Sequence, residues 1–211
     1  MDHSLLSASA FNRIPQFQHQ IHSISRPILE ELAQLFVRYG TYHSWGLGLL
    51  HRHVHMPDGY LMVNDVSGEH THFARIKALE DAGTLVPCAM HLNAEHSLQA
   101  FEYDADCRRD ELSPTFATEF CKFALSHSLH NVIAVVSKSR HDWKYATETL
   151  MQDEEGFVYG MQTKYAERAE AEGVVTNWTF APASNGVAIL DVKVCKQSQT
   201  GIHEVVKDHG A

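Results

Sequence analysis

The sequence predicts an α+β fold, with one domain, a mainly antiparallel sheet and two or three packed helices. Three observations lead there. Most strand-like segments are separated only by a short turn, and Pro57-Asp58-Gly59 and Ser67-Gly68 are the plainest of these. Two segments carry helix start or stop signals. Helices and strands do not alternate regularly, as the parallel sheet of a doubly wound fold would require.

Residues 1–26 hold scattered His, Gln and Ser and read as an N-terminal arm. A helix is expected over residues 27–39. Pro27 suits its first position, Ile28, Leu29, Leu32, Leu35, Phe36 and Tyr39 form its apolar face, and Gly40 suits a left-handed stop. Residues 44–55 read as a strand, 60–66 as its return and 69–73 as a third strand, which makes a meander. A short helix is expected over 74–82, closed by Gly83, then strands near 85–92 and 98–103.

The clearest helix follows. Ser113 is placed to cap it, Pro114 takes its first position, and Phe116, Phe120, Phe123 and Ala124 share one face. Residues 131–137, rich in Val and Ile, read as a buried strand. Residues 138–160 carry no clear pattern. An exposed helix is expected over 161–172, closed by Gly173, and a final hairpin from 174–181 and 187–195. The domain therefore spans 27–195, and 196–211 reads as a polar tail.

The chain has 211 residues, 44% hydrophobic and 20% charged, with a formal net charge of −9 when histidine is neutral. That balance argues against nucleic acid and anionic membrane as partners, because both need a basic surface. A small-molecule substrate is the partner expected instead. No apolar run approaches the roughly 18 residues of a membrane span. The four cysteines, Cys88, Cys107, Cys121 and Cys195, form no C-x-x-C pair, which excludes a zinc ribbon or a thioredoxin motif. They read as reduced thiols of a cytoplasmic protein. No P-loop, G-x-G-x-x-G or G-x-S-x-G motif occurs.

The candidate chemistry lies in Ser44-Trp-Gly-Leu-Gly-Leu-Leu-His-Arg-His-Val-His55. Side chains alternate between the faces of a strand. One face would carry Trp45, Leu47, Leu49, His51, His53 and His55, and the other Gly46, Gly48, Leu50, Arg52 and Val54. The histidines would then continue an apolar row, where imidazoles need partners, and a metal ion satisfies several at once. Same-face neighbours lie about 6.5–7 Å apart, which lets His51 and His53 converge on one ion. His51 and His55 would be about 13 Å apart, too far to share it.

His91, on a neighbouring strand, is the expected third ligand, with His70, His72, Glu69, Glu95 and Asp58 as alternatives. Nitrogen and carboxylate donors suit a divalent transition metal but do not choose among Zn, Fe, Cu, Ni and Mn. The same histidines could instead act without metal, as proton-transfer groups. His127 and His130 flank a helix end, and His141-Asp142-Trp143 reads as surface. Phe101-Glu102-Tyr103 would put Glu102 on the face opposite both rings.

The run Leu49-Leu-His-Arg-His-Val54, followed by an acid-glycine turn and an apolar strand, resembles a group of small uncharacterised fungal proteins. These carry a Leu-His-Arg-His-Phe strand before a hairpin. Asn177-Trp178-Thr179-Phe180 is similar to a tryptophan-containing strand near their end, so the resemblance spans about residues 25–195. This chain has Val54 in place of Phe, and Tyr60 where the group often has Glu after the hairpin glycine. The resemblance implies a role for His51 and His53 but names no reaction. Taken together, the residues lead to an expected small enzyme acting on a small, largely apolar molecule at a histidine-lined pocket. A metal-free isomerase or cyclase, or a non-catalytic binding protein, is the alternative.

Overall fold

The computed structural model describes residues 5–16, 24–66, 71–105, 111–138, 145–152, 158–166, 174–197 and 202–208. Eleven strands run in chain order as β1 (Trp45–Leu49), β2 (Tyr60–Val66), β3 (Thr71–Ala78), β4 (Leu85–Leu92), β5 (Leu98–Ala105), β6 (Ile133–Ser137), β7 (Tyr145–Gln152), β8 (Val158–Ala166), β9 (Val174–Ala183), β10 (Gly186–Gln197) and β11 (Ile202–Asp208). They form one closed sheet in the order β1-β6-β4-β5-β2-β3-β8-β7-β11-β10-β9, with β9 returning to β1. Every pairing is antiparallel except β2 with β5. Among the described residues three α-helices accompany it, α1 (Ala8–Phe11), α2 (Arg26–Arg38) and α3 (Pro114–Ser126). The mainly antiparallel α+β class is as expected, and the sheet is larger.

Both long helices form where their punctuation places them. Pro27 and Pro114 sit in the first turns, and Gly40 takes φ +66 just after α2. α2 buries Leu29, Leu32, Ala33, Leu35 and Phe36, and α3 buries Phe116, Ala117, Phe120, Cys121 and Ala124. Phe36 meets Phe116 at 4.9 Å and Phe180 of β9 at 5.1 Å between ring centroids. The helices thus share one apolar cluster with Trp45, Leu47 and Leu49 of β1. Phe123, expected in that core, is only partly buried and stacks on His127 at 4.3 Å.

Two expected helices are strands. Residues 74–78 belong to β3, paired with β2 and β8, and only a 3-10 turn, Leu79–Asp81, follows. Residues 161–166 belong to β8, and 167–172 lie outside the described residues. In both, Ala, Lys and Glu favour a helix locally, and pairing between two neighbouring strands overrides that preference. The final hairpin forms as expected, but β11 lies in the segment read as a tail, paired with β10 and β7.

β1 is buried on both faces. Its glycines let it be so. A Cβ on Gly46 would stand 2.6 Å from the backbone oxygen of Trp178, and one on Gly48 2.7 Å from Cγ1 of Val136. A second apolar cluster lies on the opposite face from α2 and α3. It joins Leu50, Val54, Met56, Met62, Ala89, Phe101 and Ala134 to Leu6, Ala8, Phe11 and Ile14 of the N-terminal arm.

Candidate functional site

The strand expected over residues 44–55 stops at Leu49. Leu50 still donates its N–H to Val132 O, but His51 and His53 lie in irregular chain beyond the ladder. Beyond Leu50 the chain parts from β6, and Arg52 bridges instead to Gln16 of the N-terminal arm. The expected row of three imidazoles on one strand face is therefore not formed. His51 and His53 still come together. Their ring centroids are 4.7 Å apart with 88° between planes, and both residues are half-buried. His55 is exposed.

Nδ1 of His51 lies 2.8 Å from Leu49 O. A carbonyl oxygen only accepts, so Nδ1 carries a proton, and in the neutral ring Nε2 carries the lone pair. Two imidazoles bound to one ion at about 2.0–2.1 Å and near a right angle have centroids on the order of 5 Å apart. The observed spacing is of that size.

The loop that carries the pair is gripped by the N-terminal arm. Arg52 N–H donates to Pro15 O, and its guanidinium donates from Nε to Ile14 O at 2.9 Å and from Nη1 to Val54 O at 3.0 Å. Asn12 Nδ2 donates to Met56 O at 2.8 Å, and Met56 N–H donates to Asn12 Oδ1 at 2.8 Å. Sequence reasoning missed Asn12 entirely. It lies 44 residues from its partner, and nothing near it in the chain marks it.

His91 stands on β4, two strands from β1. Met90 faces Val135, which sets His91 opposite Ala134, and Ala134 faces Gly48. Two strand spacings are about 10 Å. Its ring meets Phe101 edge-on at 5.6 Å. Burial pushes its pKa down from 6.5 to about 4, and its Nε2 is enclosed without a hydrogen-bond partner among the described residues. It does not join His51 and His53 in a ligand set. Among the described residues no group of three or more His, Cys, Asp or Glu side chains is arranged to hold a metal ion.

The other candidates are scattered. His72 pairs across β3 with Val66, at the end of the hairpin away from Tyr60, where the histidine loop enters β2. His70, Glu69 and His141-Asp142-Trp143 lie outside the described residues. Glu95 and Asp58 are exposed. Phe101 and Tyr103 fall into different clusters, because the register slips between Ala89 and Met90 and leaves Phe101 as an extra residue in β5. The expected alternation around Glu102 is broken by that bulge. A cleft of about 100 Å³ near Tyr39, Thr41, Trp45 and Glu111 lies at the other end of β1 and is small for a substrate site.

No family model, no curated protein and no solved structure matches this chain.

Proposed function

We propose that this chain is a small enzyme acting on a small, largely apolar molecule at the His51–His53 pair, with a divalent transition metal held by the two imidazoles. One contact carries the reading, the bond between His51 Nδ1 and Leu49 O. Ligating and proton-transferring histidines are oriented this way, with the near nitrogen tied to a carbonyl. The ion would supply Lewis-acid or oxygen-activating chemistry. The net charge of −9 suits a small molecule over nucleic acid. A cytoplasmic setting suits Cys88 and Cys121, neither of which is in a disulfide. No helix among the described residues is long and apolar enough to cross a membrane.

A second reading is favoured by the missing third ligand among the described residues. In it, His51 transfers a proton without metal, as in an isomerase or cyclase. Metal content decides between them. Untagged protein is reconstituted separately with Zn, Fe, Cu, Ni and Mn, then dialysed and analysed. About one ion per chain, lost in His51→Ala and in His53→Ala but kept in His55→Ala, supports the metal enzyme. No stoichiometric metal selects the proton-transfer reading. Metal retained in both of the first two variants overturns the site.

A further inference from the structure

We infer that Asn12 and Arg52 are positioning residues that hold the His51–His53 pair in its edge-to-face geometry. The inference rests on the reading of that pair as the site. Residues 51–55 lie outside the named strands, so the sheet ladder does not fix them. The arm grips them. The isolated parallel bridge of Gln16 with Arg52 ties the middle of the loop, and the Arg52 guanidinium spans from Ile14 O to Val54 O. Asn12 closes the far end by satisfying both the N–H and the C=O of Met56.

Each residue fits this task by its chemistry. A side-chain amide offers a donor and an acceptor side by side, as a strand partner would, whereas a carboxylate offers acceptors only. A guanidinium presents several donors in a fixed fork, which one lysine ammonium does not reproduce. The arm that carries Asn12 is itself seated by Leu6, Phe11 and Ile14, each no more than 6% exposed. Its hold on the loop is therefore rigid, as a preorganised site needs. Arg52 stands between the two histidines, so loss of its grip frees both at once. The arm would thus be part of the site, although no residue of it need touch a substrate.

The test reads the imidazoles themselves and needs neither metal nor substrate. In ¹⁵N-labelled parent protein, His51 is expected as the single Nδ1–H tautomer, with a ring-to-ring cross-peak to His53. In Asn12→Ala and in Arg52→Ala the cross-peak is expected to vanish and His51 to show both tautomers, while the amide spectrum of the sheet stays that of the parent. Asn12→Gln, which keeps donor and acceptor, is expected to recover the single tautomer. If an alanine variant does not fold, Asn12→Asp gives the same reading, since it keeps the acceptor for Met56 N–H and loses the donor. Folded variants whose His51 tautomer and cross-peak match the parent overturn the proposal. Because the parent's metal content is a separate measurement, this inference and the metal reading can fail independently.

Discussion

The His51 and His53 rings stand edge to face, 4.7 Å between centroids, in a loop that follows a strand instead of on the strand itself. On a regular strand the two residues would be about 6.5–7 Å apart at Cα with parallel side chains. Leaving the pleat lets the rings turn toward each other. The pair is thus a product of the strand ending at Leu49.

If the pair binds an ion, both rings must be neutral to do so, and occupancy falls as the solution is acidified. The metal-to-chain ratio measured after dialysis at a series of pH values checks this. A chelator should strip the ion at neutral pH and leave the sheet folded, because the described core contains no metal-ligand group. A ratio independent of pH would count against imidazole ligation.

His91 should make stability depend on acid. Its folded pKa, about 4, lies below its ordinary 6.5, so the unfolded chain takes up a proton first as pH falls. The sign follows directly. Stability is full above about 6.5 and is lost progressively toward about 4, by about 3 kcal/mol at most. His91→Leu removes the titrating group and should lose less stability than the parent between those limits. Urea midpoints at pH 7 and pH 4.5 for both proteins read the difference.

Phe120→Ala should cost about 3–5 kcal/mol, the range for a large truncation in a packed core. Phe120 is fully buried between Phe36 and Phe116, with centroids at 6.2 and 5.8 Å. Phe123→Ala should cost clearly less, since that ring is only partly buried. Equal losses in denaturant unfolding would show the helix face to be misassigned.

Gly46→Ala should destabilise more than a surface change of the same size. Its Cβ would meet a backbone oxygen at 2.6 Å, which cannot swing away as a side chain can. Gly48→Ala meets the end of Val136 instead and has more room to adjust. Thermal midpoints should fall in the order parent, Gly48→Ala, Gly46→Ala.

Local signals carried much of the fold. Pro27, Gly40 and Pro114 mark both long helices because φ preferences act within a few residues, and Ser113 takes the N-cap position of α3 without a side-chain capping bond. Residues 74–78 of β3 and 161–166 of β8 favour helix locally, and their strand state depends on partners elsewhere in the chain. The parallel pairing of β2 with β5, and ring closure through β9 and β1, have no local signature at all. The candidate site divides the same way. H-x-H drew attention to His51 and His53, whereas the alternation rule gave them the wrong backbone. There Arg52 bridges to Gln16 of the arm, a partner that no local pattern marks. His91 lies two strands from β1 instead of on a neighbouring strand, with its ring against Phe101.

The central claim is that His51 and His53 act as one unit on a ligand. Titration of Zn²⁺ into ¹⁵N-histidine-labelled protein, followed at the ring nitrogens, tests it most directly. The account predicts that His51 Nε2 and the His53 ring shift together and saturate at one ion per chain, while His55 does not move. Shifts confined to exposed histidines such as His55, or none at His51 and His53 at one equivalent of ion, would contradict it.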